Sequence, residues 1–317
     1  MGAETAIEWT HHTFNPWWGC VKVSPGCAHC YADTFAKRVG QKVWGVDAPR
    51  RFFGDKHWAE PLKWNREAEK AAGEAEMARA RGGGNHPAPR PRVFCASMAD
   101  VFEDRPDLVE PRARLFSLIQ ETQALDWLLL TKRPQNIDPL LTPWILEHIE
   151  GPLTNVWLGT TVEDQERADE RIPHLLAVPA AVRFLSVEPL LGPVDLAGRL
   201  GGSDFLGDRH DDAPGEAGID WVIVGGESGP GARPCDLAWI RDVVRQCREA
   251  GVPVFVKQLG AHSVNGDDQV GPWPVYGDGS DPREDARFRW KDPKGGDPAE
   301  WPEDLRVREF PAVEPAP

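Results

Sequence analysis

The sequence predicts an α/β fold, a partial (β/α) TIM-like barrel of six to seven parallel strands. Two observations carry this. Short apolar runs recur along the first 260 residues, each closing on a polar or glycine-rich turn. Between them lie stretches with the spacing of amphipathic helices. The runs are too short for helices and nearly unbroken in hydrophobicity, as strands buried on both faces are. Strand alternating with helix means a parallel sheet.

The first strand is expected over residues 14–18, leading into a cysteine-bearing loop. The others are expected over 92–95, 126–130, 155–159, 182–187, 221–224 and 253–256. Residues 111–123 read as a helix, with Ala113, Leu115, Phe116, Leu118 and Ile119 apolar. Residues 237–250 read as another, with Leu237, Ile240, Val243, Val244 and Cys247 on one face and Gly251 as its stop. Residues 45–91 are an insert, with a charged helix over 64–81 and a flexible link at Gly82, Gly83 and Gly84. No Lys-Ser/Thr pair follows those glycines, so they are not a phosphate loop. Residues 195–219 read as a mobile loop. The barrel domain is thus expected over 1–260 and an irregular acidic C-terminal extension over 261–317, with short edge strands near 287–290 and 305–310.

The chain has 317 residues, 41% hydrophobic and 27% charged, values that exclude collagen, mucin and wholly disordered chains. No apolar run approaches the roughly 18 residues of a membrane span. The first seven residues carry Glu4 and lack the pattern of a signal peptide. The expectation is a cytoplasmic protein without a membrane partner. Its net charge of −14 opposes a large phosphate-gripping footprint. Residues 37–66 nevertheless hold eight bases (Lys37, Arg38, Lys42, Arg50, Arg51, Lys56, Lys63 and Arg66) against three acids. They could serve as a local nucleic-acid face.

Of six cysteines, Cys20, Cys27 and Cys30 fall within eleven residues. In a reducing compartment such a cluster points to metal rather than to disulfides. Cys27 and Cys30 form C-x-x-C, and Gly19, Pro25 and Gly26 supply bends that bring Cys20 round. Two centres suit three thiolates. One is zinc, with a fourth ligand from His29, Cys95 or elsewhere. The other is a four-iron cluster with one iron left open. Metal-free thiols are the third possibility. Cys95 ends a strand as a small buried hydrophobe pointing into the barrel, and Cys235 and Cys247 are structural. His29 is expected to make structural hydrogen bonds. Asn15, Trp17 and Trp18 are either a wall over a metal centre or ordinary packing.

Function in a parallel barrel sits at the C-terminal strand ends. These carry Asp100, Lys132, Arg133, Glu163, Glu188, Glu227, Ser228 and Lys257. Ser228 is not a hydrolase nucleophile, because no G-x-S-x-G frame or matching histidine surrounds it.

The string Asn15-Pro16-Trp17-Trp18-Gly19-Cys20, continued by Cys27-Ala28-His29-Cys30-Tyr31-Ala32, resembles the cluster loop of radical S-adenosylmethionine (SAM) enzymes. It is most similar to the branch related to spore photoproduct lyase. Over about residues 7–260 the chain also resembles the three-Cys-motif proteins of phages and bacteria. Six residues separate the first two cysteines where that superfamily usually has three, and His29 stands where it has an aromatic.

The resemblance implies a [4Fe-4S] cluster on Cys20, Cys27 and Cys30, with SAM on the free iron and an external electron donor. A 5′-deoxyadenosyl radical would then take hydrogen from a substrate, a nucleic-acid base by analogy with that branch. Ser97 and Asp100, after the second strand, would meet the SAM amino group. Lys132 or Arg133 would meet its carboxylate, and Thr161 or Glu163 its ribose. The turn Gly225-Gly226, followed by Glu227, would let backbone approach the adenine. No residue is assigned to the substrate. The rival expectation is a non-catalytic interaction protein of a phage or mobile element, stapled by zinc or an iron–sulfur centre and working with a protein partner. A fourth protein ligand on the metal would mark it.

Overall fold

The computed structural model describes residues 5, 7–82, 89–149, 153–201, 217–265 and 288–312. Seven strands form one sheet in chain order: β1 (His12–Thr13), β2 (Arg92–Cys95), β3 (Asp126–Thr131), β4 (Val156–Thr161), β5 (Val182–Val187), β6 (Trp221–Gly225) and β7 (Val254–Gln258). Every neighbouring pair is parallel, and the sheet curls into a half-barrel, the expected fold. Among the described residues, the helices of eight residues or more are α1 (Tyr31–Arg38), α2 (Glu60–Ala80), α3 (Val109–Glu121), α4 (Ile137–His148), α5 (Gln165–Leu176) and α6 (Leu237–Ala250).

Strand alternation gives the sheet two faces. Val93, Cys95, Leu129, Leu158, Val187 and Val256 join a core with helix residues such as Leu115, Ile172 and Ile240. Phe94, Leu128, Trp157, Phe184, Trp221 and Phe255 form a separate aromatic core on the other, concave face. Cys95 therefore points towards the helices, not into the barrel. Gly159 is part of the concave packing, since a Cβ there would stand 2.4 Å from the Phe184 ring.

The first strand departs from expectation. His12 and Thr13 pair with Val93 and Phe94, and the Phe14 N–H donates to the Phe94 carbonyl at 3.0 Å. Pro16 has no N–H to continue the ladder. Trp17 and Trp18 turn away and pair antiparallel with Phe52 and Arg51 from the insert. The insert's helix starts at Glu60 rather than 64, with Pro61 in its first turn, a position where proline is tolerated. The 195–219 loop is anchored at both ends: Leu196 and Ile219 are buried, and Leu200 bridges Ile219. Its middle, like Gly83 and Gly84 of the expected link, lies outside the described residues.

The end of the chain closes the N-terminal side of the half-barrel. Residues 305–310 run along β7, where an edge strand was expected. The Val256 N–H donates to the Val307 carbonyl at 2.8 Å, and Phe255 bridges Arg308 antiparallel. Phe310 lies 5.5 Å from Trp221, the first residue of β6, and Trp9 lies 6.3 Å from the same ring. Of the other expected edge strand, residue 287 lies outside the described set, and Phe288 donates one backbone bond to Ser263. Among the described residues no helix is long and apolar enough to cross a membrane.

Candidate functional site

The cysteine loop leaves the sheet at Gly19, whose φ of +117° suits glycine. A Cβ there would stand 2.3 Å from the Val43 carbonyl oxygen, so no other residue fits without movement. The Gly19 N–H donates to the Met98 carbonyl at 2.9 Å. Asn15, buried, accepts from the Met98 N–H at 2.7 Å and donates to the Ser97 hydroxyl at 3.1 Å. These bonds fasten the start of the loop to the segment after β2. Trp17 and Trp18 are buried, and Trp18 packs against Ala32, Ala36, Val43 and Met98. They serve packing, and neither lines the cavity described next.

A cavity of about 150 Å³ opens over the ends of β2, β3 and β4. Cys20, Cys27 and Cys30 line it together with Ser97, Asp100, Lys132, Arg133 and Thr161. Phe94 and Leu130 supply apolar wall, and Tyr31 closes one side, its hydroxyl donating to the Ser97 carbonyl at 2.7 Å. The loop thus meets residues that strand alternation and topology deliver separately.

The charges are already paired. Asp100 accepts from the Arg133 Nη1 at 2.7 Å, the Thr131 hydroxyl at 2.7 Å and the Phe102 N–H at 3.0 Å. Arg133 also donates to the Val21 carbonyl at 2.9 Å and stands 3.6 Å from the Cys20 sulfur. Burial, followed by the nearby Asp100, pushes the Cys20 thiol up to about 12, against the pull of Arg133. Lys132 donates to the Thr161 hydroxyl at 3.2 Å and, among the described residues, has no ion pair.

Glu163 and Glu227 do not line the cavity; they hold the loop. Glu163 is fully buried, accepts from Arg171 at 2.8 Å and accepts the Gly26 N–H at 3.2 Å. Glu227 meets the His29 Nδ1 at 3.0 Å and Arg233 at 2.6 Å, while Arg233 donates on to the Pro25 carbonyl at 2.9 Å. Burial pushes the Glu227 carboxyl up, but the Arg233 and His29 hydrogen bonds outweigh it and hold it at about 2. Gly225 and Gly226 also lie off the cavity. A Cβ on Gly226 would stand 2.4 Å from the Leu259 carbonyl oxygen, so this glycine permits close approach to the chain after β7. Sequence reasoning missed Arg171 and Arg233. The available signal was an arginine eight and six residues after a strand-end carboxylate.

Three free thiols thus line one cavity. The cysteines form no disulfide, Cys95 faces the other side of the sheet, and one His29 nitrogen is engaged by Glu227. The three thiols line the cavity as separate groups; among the described residues no three Cys, His, Asp or Glu side chains are gathered as a metal site. A family model described as Protein of unknown function (DUF5131) matches residues 4–288. The chain belongs to this family. No curated protein and no solved structure matches it.

The match spans the half-barrel, the cysteine loop and the insert with its basic stretch. That stretch is not uniformly available to a ligand. Arg50 is buried, bonds Glu103 at 2.6 and 3.0 Å and donates to the Val43, Gly45 and Ala48 carbonyls, so it belongs to the fold. Arg51 is half-buried, its guanidinium 4.6 Å from the Trp18 ring. Lys37, Arg38, Lys42, Lys56, Lys63 and Arg66 are exposed.

Proposed function

We propose that the chain is a radical SAM-like iron–sulfur enzyme. One observation carries the reading. Three cysteines from a loop and Ser97, Asp100, Lys132, Arg133 and Thr161 from three strand ends line one cavity at the C-terminal edge of a parallel half-barrel. In this reading Cys20, Cys27 and Cys30 would hold a [4Fe-4S] cluster, and the chemistry it would supply is one-electron reduction of SAM, with the electron coming from an external donor.

The chain's own residues bind and orient. Lys132, without an ion pair among the described residues, offers its ammonium to the SAM carboxylate. The segment 96–98 offers acceptors to the amino group, and Thr161 a hydroxyl to the ribose. Asp100 is engaged by four donors and acts by holding Arg133. Arg133 sets a fixed positive charge beside the Cys20 sulfur. Neighbours of this kind tune a metal centre. Phe94, Leu130 and Tyr31 narrow water's access.

The test uses iron-loaded protein under anaerobic conditions. SAM is expected to change the cluster's electron paramagnetic resonance signal. With dithionite it is expected to give 5′-deoxyadenosine slowly even without substrate. A spectrum untouched by SAM overturns the reading.

The exposed bases of 37–66 are proposed to hold a nucleic acid. Lys42→Glu with Lys56→Glu is expected to weaken binding of a single-stranded oligonucleotide at low salt. The slope of log affinity against log salt should flatten by about one per lost phosphate contact. Arg50 stays intact in this test. Unchanged affinity and slope would leave these bases as solvated surface.

A further inference from the structure

The C-terminal rim has two halves. The cysteine cavity covers the ends of β2, β3 and β4. On the other half, the ends of β5 and β7 bring Glu188 and Lys257 together across β6. The Lys257 Nζ lies 2.7 and 2.8 Å from the two Glu188 carboxylate oxygens. Gly225, at the end of the intervening strand, places no side chain between them. Lys257 is the extra residue of a bulge, because the register of β7 on β6 shifts between Val256 and Gln258. A bulge re-aims a side chain, commonly beside a functional site.

The other carboxylates of the rim have structural partners. Asp100, Glu163 and Glu227 each bond an arginine, and each set of bonds reaches the cysteine loop. Among the described residues, the charged ends of Glu188 and Lys257 bond only each other, and their side chains stay 17% and 27% exposed. The pair is part-buried, and its bonds, unlike those of the other three carboxylates, do not tie down the cysteine loop.

We propose that Glu188 and Lys257 form a recognition subsite for the second substrate, one that carries an amide-like edge: a hydrogen-bond acceptor beside a donor. The chemistry of the pair suits this class. An ammonium only donates and a carboxylate only accepts. An anion taken by Lys257 would strand the Glu188 carboxylate, and a cation taken by Glu188 would strand the ammonium. A neutral group with a carbonyl beside an N–H satisfies both at once and leaves no charge uncompensated. Primary amides and the lactam edges of heterocyclic bases share this chemistry. The proposal rests on the reading of this rim as the reaction site.

The experiment is calorimetric titration of the iron-free full chain with four probes: uridine, N-acetylglutaminamide, benzoate and benzylammonium. The wild-type chain is expected to prefer uridine or N-acetylglutaminamide to both ions. Preference for the first assigns a lactam, and for the second an amide side chain. Glu188→Gln should shift the preference to benzoate and Lys257→Met to benzylammonium, each by about tenfold, the equivalent of one charged hydrogen bond. The double reversal Glu188→Lys with Lys257→Glu keeps a pair and should keep the neutral preference. No binding of the neutral probes to wild type, or preferences unmoved by the single variants, overturns the proposal. Neither residue bonds the cysteine loop, and the titration uses neither iron nor SAM. Its failure is thus separate from a failure to find the iron–sulfur centre.

Discussion

Anaerobic reconstitution is expected to load about four irons per chain, and Cys20→Ala, Cys27→Ala or Cys30→Ala should each abolish the centre. The expectation follows from the lack of a spare thiol. Cys95, Cys235 and Cys247 are fully buried in the core shared with the helices, so none can swing into the cavity to replace a lost ligand. Cys235→Ala and Cys247→Ala should therefore keep the iron. Iron and sulfide analysis with the visible spectrum reads the outcome. One tightly bound zinc without iron would instead favour a closed staple, and with it the non-catalytic interaction protein. Iron retained after loss of any one of the three cysteines would mean that the cavity does not hold the cluster.

The parallel half-barrel was legible because both faces of its strands are buried. Each strand then shows as an unbroken apolar run, and the runs at 182–187 and 92–95 coincide with β5 and β2. The first strand was not legible. Trp17 and Trp18 are as apolar as any strand, yet they pair with the insert, and only Pro16 hints at the break. Periodicity reports burial and is silent on which sheet a residue joins. Spacing grouped the three cysteines, and of the strand-end residues that barrel topology singled out, Asp100, Lys132 and Arg133 line their cavity while Glu163, Glu188, Glu227, Ser228 and Lys257 do not. What each charge does was not legible. Glu163 and Lys132 look alike in sequence, each following an apolar run, but one is sealed against Arg171 and the other lines the cavity. The difference is made by Arg171 on α5, whose approach depends on how that helix packs. The basic stretch was deceptive for the same reason. Arg50 reads as a surface charge until Glu103, 53 residues away, is brought against it.

That division between sealed and accessible charges should separate two variants sharply. Lys132→Ala is expected to weaken SAM binding by about 1–3 kcal/mol, the loss of a charged hydrogen bond, while iron per chain stays at the wild-type level. Lys132 bonds Thr161 and nothing in the cysteine loop, so the loop does not depend on it. Glu163→Ala should do the reverse. It leaves the Arg171 guanidinium, only 3% exposed, without its carboxylate, and it removes the acceptor of the Gly26 N–H. Breaking a buried ion pair from one side costs about 3–5 kcal/mol. The loop between Cys20 and Cys27 should then loosen, and iron retention should fall together with the denaturation midpoint. Glu163→Gln keeps an oxygen for Gly26 and should recover part of the iron but little of the stability. Iron analysis, SAM titration and urea unfolding on the same preparations distinguish these effects. If Lys132→Ala sheds the iron, or Glu163→Ala keeps the iron and loses only SAM, the two residues have exchanged roles and the carboxylate reaches the ligand after all.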